Sequence, residues 1–557
     1  MQEHFDYRAA FIGPQGENAD EVERLVLEVL RDHIMWRRNF HPEDPRLIAE
    51  WSRSERPFRE TTSKLRDSLY AVLARLKRGA PLHSHRQLAH MVTDPSLPSL
   101  VGYFAGLLYN QNNVVQEASP ETVRCEREFI GALAQMVGFP PLIGQHAAPL
   151  EVGEHSFGHL TSGGTSANME VLWTVRNVRF FPLALRLLLK EAPEFASIGL
   201  GDLEIARKDG ESGELGRASA TDLFALPVDE IVRLKRNTGL LLKEADYEVA
   251  AAFRSQLPTV RRVGLAELRE RYQAAFPSDS FPTPVVLISR AAHYCWQKAM
   301  DLTGLGSTNL RHVAVDRHVR MDPAALLGAL ETASGDNTPV LMTVSICGTT
   351  ETTSVDPLVA VNQLRDDPDL PAFWHHTDGA FGAYFASMLD RTGHPLETDH
   401  PSHAVSGYVR EQLRAIGACD SVVLDPHKMG FMPYPAGALL FREYSVRDAI
   451  AYDAPYLAGE AEAGFGGFLG RWTLEGSRPG AAAVAGYLAQ KVVPLEPSGH
   501  GQLLGNCVRA HRVLFDLLVK RSGESGVTFL PFGGAPDLTG TCFVLVPPHV
   551  SHLSQLN

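Results

Sequence analysis

The sequence predicts an α/β fold around a mostly parallel sheet, and three observations carry that prediction. Between about residues 155 and 445, short β-branched runs alternate with helical stretches. The runs are apolar throughout rather than every second residue, as strands covered on both faces must be. Helix-period segments flank this region on both sides.

Taken in order, Ala19-Asp20-Glu21-Val22 opens a periodic run through Leu25, Val26, Val29 and Leu30. The prolines of His41-Pro42-Glu43-Asp44-Pro45 end that helix. A second amphipathic helix is predicted over about 63–77, and proline-punctuated connections follow. Another helix begins after Ser119, with Pro120 in the first turn, where its missing N–H costs nothing. Strands are predicted at 285–288, 313–315, 340–346, 372–374, 422–424 and 438–441. A charged, helical, insertion-like stretch lies around 200–280. From about 481 the chain is helical again, then closes on a strand-like run, 541–546.

With 557 residues the chain predicts two or three domains, and 44% apolar content easily supplies a large core. The net charge of −13 leaves no basic surplus to neutralise phosphates, so neither nucleic acid nor an anionic membrane is expected as a partner. The opening Met1-Gln2-Glu3-His4 lacks the basic-then-apolar order of a signal peptide, and no apolar run reaches membrane-spanning length. Six cysteines are scattered without CxxC spacing, the pattern of reduced thiols in a cytoplasmic enzyme rather than of a disulfide framework or zinc site.

Four segments carry chemistry. Asp425-Pro426-His427-Lys428 follows the strand-like 421–424 and puts a lysine at the mouth of a buried strand. Desolvation there lowers an amine's pKa and suits it to Schiff-base formation with an aldehyde. Thr161-Ser162-Gly163-Gly164-Thr165-Ser166-Ala167-Asn168 precedes an apolar-periodic helix. Glycines let backbone approach an anion, and helix-terminal N–H groups point at it; an ordinary capped glycine turn is the plainer alternative. His293, in His293-Tyr294-Cys295-Trp296, follows a strand and can stack on a planar ring, or simply cap or pack. Trp374-His375-His376-Thr377-Asp378-Gly379-Ala380 ends a strand on an aspartate. A buried carboxylate needs a cationic partner, which a protonated pyridine nitrogen supplies. Adjacent strand residues such as His375 and His376 point to opposite faces, which disfavours a metal site there. The string His83, His85, His90 lacks acidic or cysteine ligands nearby, so no metal is expected. At the strand ends of one parallel sheet, the four segments describe a site for pyridoxal 5′-phosphate, held at phosphate, ring face, ring nitrogen and aldehyde.

Several stretches resemble the group II pyridoxal-phosphate-dependent amino acid decarboxylases, and within them most of all the bacterial tyrosine decarboxylases. They are Arg37-Arg38-Asn39-Phe40-His41-Pro42-Glu43-Asp44, Leu108-Tyr109-Asn110-Gln111-Asn112-Asn113-Val114, Glu117-Ala118-Ser119-Pro120, Ser162-Gly163-Gly164-Thr165, Asp425-Pro426-His427-Lys428, Pro433-Tyr434-Pro435-Ala436-Gly437 and Leu474-Glu475-Gly476-Ser477-Arg478-Pro479-Gly480. The resemblance implies a fold-type I, aspartate aminotransferase-like architecture. Its parts are a mostly parallel seven-stranded sheet, a helical N-terminal segment and a small α+β C-terminal domain. It implies a dimerisation segment over 1–120, the large cofactor-binding domain over 121–445, and a mobile loop with the small domain over 446–557. That last part is shorter here than in the family.

By the same resemblance the enzyme is a homodimer whose active sites form at the subunit interface. Lys428 bonds the cofactor's aldehyde carbon, Asp378 pairs with the ring nitrogen, His293 stacks on the ring and Ala380 packs beneath it. Gly163, Gly164, Thr165 and His427 lie near the phosphate, with Ser421 joining them, and Gly476 and Ser477 reach a phosphate in the partner subunit. Tyr456, in the loop-like Ala454-Pro455-Tyr456-Leu457, donates a proton to the carbon left by CO₂, unless it is only a surface aromatic. His90 lines the substrate entrance, and Tyr103, Phe104 and Tyr434 form apolar walls.

The implied reaction is decarboxylation of an aromatic L-amino acid such as L-tyrosine to its amine. An aspartate or glutamate decarboxylase, another lyase or aminotransferase of the same fold, and an inactive cofactor-binding subunit are the alternatives.

Overall fold

The computed structural model describes residues 6–88, 90–143, 151–391, 398–452, 469–524 and 526–550. Its centre is a seven-stranded sheet. The strands, numbered along the chain, are β1 (Phe157–Thr161), β4 (Val285–Ser289), β5 (Leu310–Val313), β6 (Val340–Ile346), β7 (Trp374–Asp378), β8 (Ser421–Leu424) and β9 (Gly437–Phe441). A small hairpin, β2 (Glu204–Ala206) with β3 (Ser212–Glu214), lies outside it, as does an antiparallel pair, β10 (Thr528–Pro531) with β11 (Phe543–Val546).

The order across the sheet is β1-β9-β8-β7-β6-β4-β5. Strand β9 is antiparallel to both neighbours, and the remaining pairs are parallel. β1 therefore runs with β8, and the C-terminal ends of β1, β4, β6, β7 and β8 share one edge, the place where open α/β sheets bind ligands. The register puts Asp378 beside Ile346 on one side and Val423 on the other.

The 28-residue helix Gly164–Glu191 crosses one face of the sheet. Its Val171, Leu172, Val175, Leu183 and Leu187 pack with Ile288, Val344, Val423 and Leu439 of the strands. Each such fully buried side chain contributes about 1.5–3 kcal/mol. On the other face Leu133 and Val137 of helix Pro120–Val137 meet Val422, Leu424 and Leu440. Burial of both faces explains why these strands read as unbroken apolar runs.

The insertion-like stretch has a place in this core. Helices Ala220–Phe224, Val228–Glu244 and Val260–Ala275 put Leu223, Ile231 and Leu268 into the core of the long helix, and Phe253 of Tyr247–Gln256 packs edge-on against Phe195 just beyond it. The buried Arg179 guanidinium ties the layers together by donating to the carbonyls of Phe224, Leu226 and Ala372.

Some expected boundaries move. The second N-terminal helix spans Arg56–Leu76, starting at a first-turn proline rather than near residue 63. Leu97–Tyr109 is a helix that the prolines around it concealed. Instead of 372–374, β7 covers Trp374–Asp378, because its polar residues are buried and bonded within the core rather than solvated. β5 ends at Val313, earlier than 315. No helix of the described residues is long and apolar enough to cross a membrane.

Candidate active site

A cavity of about 530 Å³ opens at the shared strand edge. Its lining includes Gly163, Gly164, Thr165, His293, Asp378, Ala380, His427, Lys428 and Tyr434, so four segments far apart in sequence meet around one space.

The loop after β1 gives the first wall. Gly163 caps helix Gly164–Glu191, so the free N–H groups of that helix's first turn face the cavity. Ser162 donates its N–H to Glu475 (3.1 Å), and its hydroxyl meets Ser166 at 2.7 Å. Behind the loop, a Cβ placed on Gly437 would fall 2.5 Å from Gly163 Cα and 2.5 Å from Thr161 Oγ1, so only glycine fits at that crossing.

Asp378 ends β7 on the cavity floor. Its Oδ2 accepts from Asn168 Nδ2 at 2.8 Å and from the Trp296 indole at 3.1 Å, while among the described residues Oδ1 takes only the Ala380 N–H, at 3.4 Å. Neither Asn168 nor Trp296 was singled out by the sequence reading, although both lie in the quoted motifs. His293 is half-buried near Asp378. The Cys295 N–H donates to His293 Nδ1 at 3.3 Å, which leaves the ring proton on Nε2. Burial lowers the His293 pKa, aided by the Lys428 charge and opposed by Asp378.

Lys428 sits in the turn after β8. Burial alone would lower its pKa, but the Asp425 carboxylate, 3.0 Å from Nζ, and Asp378 outweigh it and hold the amine above its ordinary value. This corrects the expectation of a lowered lysine pKa: a neighbouring carboxylate wins over desolvation. His427 has its pKa lowered by burial and by Lys428, against the opposing charge of Asp425. The Tyr434 ring lies against the His427 ring at a centroid distance of 4.0 Å.

Other expected residues lie elsewhere. Ser421 does not line the cavity: its hydroxyl is buried between the Trp374 indole and His376 Nδ1, each at 2.8 Å, at the opposite end of β8 from the lysine turn. Tyr103 does not line the cavity and packs instead against the core that holds Leu133, Val137 and Leu440. His90 is exposed in a left-handed conformation (φ 73), and its neighbour Met91 is the one that lines the cavity. Ser477 lines an adjoining groove shared with Ser162, and its hydroxyl accepts from Asn112 at 3.0 Å. A Cβ placed on Gly476 would meet nothing within 4 Å among the described residues. Tyr456 lies outside the described residues. Among the described residues no group of three or more His, Cys, Asp or Glu could hold a metal ion.

The family profile described as "Pyridoxal-dependent decarboxylase conserved domain" matches residues 259–543. The chain belongs to the pyridoxal-dependent decarboxylases. It is 30% identical to the L-tyrosine decarboxylase of Enterococcus faecium over 523 residues, 91% of this chain and 76% of that protein. Its identity to the L-tyrosine decarboxylase of Levilactobacillus brevis is 28% over 531 residues, covering 92% and 75%. The aspartate 1-decarboxylase of Aliivibrio fischeri is 26% identical over 535 residues, covering 95% and 76%. Among solved structures, mouse CSAD superimposes with a TM-score of 0.57 at 17% identity, covering 95% of this chain and 84% of that one. Catharanthus roseus tryptophan decarboxylase in complex with L-tryptophan gives 0.53 at 12%, covering 97% and 87%. These likenesses give the shared fold-type I architecture.

As a member of this family, the decarboxylase is a carboxy-lyase whose cofactor is pyridoxal 5′-phosphate, and the cavity fits that group. Among the described residues the buried Asp425 Oδ1 and His427 Nδ1 have no hydrogen-bond partner. A Cβ placed on Gly164 would fall 3.1 Å from Asp425 Oδ2 and 3.2 Å from Ala380 Cβ, filling the cradle that glycine leaves open. The donor set combines helix-terminal N–H groups, one carboxylate oxygen with acceptor capacity to spare, and one amine.

Proposed function

We propose that this decarboxylase acts on an aromatic L-amino acid, with L-tyrosine as the first substrate to test. The composition of the cavity wall carries the reading. Among its described lining residues, Met91, Tyr294, Phe381 and Tyr434 offer apolar and aromatic surface, and the one lysine or arginine is Lys428, already paired with Asp425. An acidic substrate needs a fixed cation for its second carboxylate, and the two histidines have pKa values below the ordinary one. The L-tyrosine decarboxylase relatives support the same choice; the aspartate 1-decarboxylase relative supports the alternative.

The positions of the described residues support the following roles, and the family resemblance supports that of Tyr456. Lys428, held in position by Asp425, is the amine that would hold the cofactor at its aldehyde carbon, with water released. Asp378 would accept a hydrogen bond from the protonated ring nitrogen on Oδ1, and His293 and Ala380 would hold the ring between them. Gly163, Gly164 and Thr165 present backbone N–H groups to the phosphate, with His427 beside it. When bound, pyridoxal 5′-phosphate supplies a conjugated, electron-withdrawing ring that takes up the electrons released as CO₂ leaves. The negative charge on Asp378 keeps the ring nitrogen protonated, which maintains that electron demand. The apolar and aromatic part of the wall, Met91, Tyr294, Phe381 and Tyr434, would reduce hydration of a substrate carboxylate lying against it and favour its loss. Tyr456 of a neighbouring subunit then delivers the proton to the α-carbon.

The holoenzyme given L-tyrosine, L-phenylalanine, L-tryptophan, L-aspartate and L-glutamate, with CO₂ and amine measured, tests the substrate. Tyrosine should exceed aspartate in kcat/KM by at least about 100-fold. The reverse order defeats the aromatic reading, and α-keto acid released without CO₂ points to transamination.

The proposed homodimer is supported by the N-terminal helices. Leu65 and Leu76 of Arg56–Leu76 are each 69% exposed, and Leu27, Ile34 and Trp36 of Ala19–Phe40 are also exposed, apolar surface that the described residues of one chain leave uncovered. Mixing chains bearing Lys428→Ala with chains bearing Tyr456→Phe tests the shared site. Two inactive variants should together recover about a quarter of wild-type activity, because half of the sites in half of the dimers are intact. No recovery, with mixed dimers present, removes Tyr456 from the neighbour's site.

A further inference from the structure

Five side chains connect the interior of the sheet to the cavity floor in one line of hydrogen bonds. Trp374 Nε1 lies 2.8 Å from Ser421 Oγ, and Ser421 Oγ lies 2.8 Å from His376 Nδ1. His376 Nε2 lies 3.1 Å from Asn168 Oδ1, and Asn168 Nδ2 lies 2.8 Å from Asp378 Oδ2. None of the five is more than 5% exposed, so water does not substitute for any link.

The direction of every bond is forced from both ends. An ionised Asp378 only accepts, so Asn168 turns its NH₂ toward it and its carbonyl toward His376. That carbonyl needs a donor, which places the imidazole proton on Nε2 and leaves Nδ1 an acceptor. The Ser421 hydroxyl proton therefore goes to Nδ1, and the Ser421 oxygen accepts from Trp374, whose indole N–H can only donate. Reversing one link would set two acceptors face to face beside a carboxylate in a buried site, where an unmade bond is costly.

We infer that His376, locked by Ser421 and Trp374, is a positioning residue that works through Asn168 to keep Asp378 Oδ2 saturated with donors and Oδ1 turned to the cofactor's ring nitrogen. Burial lowers the His376 pKa to about 4, so the ring stays neutral and the direction holds across the working pH range. Trp296 gives Oδ2 its second donor. Donors of this kind orient a functional group and stabilise its ionised form, as outer-shell partners do for metal ligands.

The inference rests on the reading of Asp378 as the ring-nitrogen partner, and the test separates the two. The visible absorption band of the bound coenzyme is titrated with pH in the holoenzyme and in Asp378→Asn, His376→Leu, His376→Gln, Ser421→Ala and His375→Gln. His375 is the control: it is equally buried, but it bonds Asn362 and Ser345, off the line.

His376→Leu and Ser421→Ala should each move the titration midpoint by at least about half a pH unit. His376→Leu should also lower kcat about tenfold. His376→Gln, which can still donate to Asn168, should restore most of both, and His375→Gln should keep the wild-type midpoint. If Asp378→Asn moves the midpoint while His376→Leu and Ser421→Ala leave it in place, the relay is wrong and the role of Asp378 stands. If Asp378→Asn leaves it in place, the reading of Asp378 falls, and the relay with it. A His375→Gln shift as large as that of His376→Leu reduces the effect to core packing and overturns the inference. Should His376→Leu not fold, Ser421→Ala, which removes one oxygen, decides alone.

Discussion

The two ends of the cavity are built differently. At the floor, Asp378 Oδ2 has two side-chain donors, and the residues behind it are buried and bonded in series. At the lysine end, Asp425 Oδ1 and His427 Nδ1 are buried without a partner among the described residues, Lys428 keeps 23% of its side chain exposed, and Tyr434 is 54% exposed. The fold completes the floor; the lysine end is completed by what it binds. A group that must stay charged and aimed benefits from rigid donors, whereas an amine that makes and breaks bonds needs partners that can be exchanged.

The largest expected effect falls at the lysine end. Lys428→Ala should abolish the visible absorption of bound cofactor and lower turnover by at least about 10⁴-fold, read by spectroscopy and amine assay. Retained absorption would show that the amine is not the point of attachment. Asp378→Asn attacks the floor: coenzyme should still bind, while kcat drops by about 10²–10³-fold. A change in KM alone would make Asp378 a binding group and erase the contrast between the ends.

The smallest effect concerns the support behind the lysine turn. His500 Nε2 donates to the Met429 carbonyl at 2.7 Å, and burial lowers its pKa from 6.5 to about 4. A histidine with a lowered folded-state pKa binds its proton more readily when unfolded, so stability rises with pH. Its contribution is complete above about 6.5 and is lost progressively as pH falls toward 4. Compared with His500→Gln, which does not titrate, the wild type should lose about 3 kcal/mol more between those limits, measured by urea unfolding. Parallel pH profiles would show that His500 is not a buried neutral anchor.

Much of this was legible in the sequence, for physical reasons. Apolar runs covered on both faces marked β4, β6, β8 and β9, and the lysine, aspartate, histidine and glycine segments all converge on one cavity. The unread parts depend on partners distant in the chain. β7 looked too polar for a core strand because His375, His376 and Thr377 satisfy themselves through Asn362, Ser345, Ser421, Asn168 and Cys419. Asn168 reaches Asp378 across 210 positions and Trp296 reaches it across 82, separations that no local pattern encodes. Ser421 begins a strand like any small polar residue; only the sheet register reveals that it lies beside His376 rather than near a phosphate.

The close approach of Gly437 to Gly163 bears on how the anion-facing loop is held. Gly437 opens β9 and pairs with Thr161 at the end of β1, so the glycine loop that follows Thr161 lies on β9 backbone to backbone, an approach that no change of rotamer adjusts. The loop's N–H groups are therefore set by the strand beneath them: a side chain at position 437 would lift the loop and displace together all the groups that face the anion.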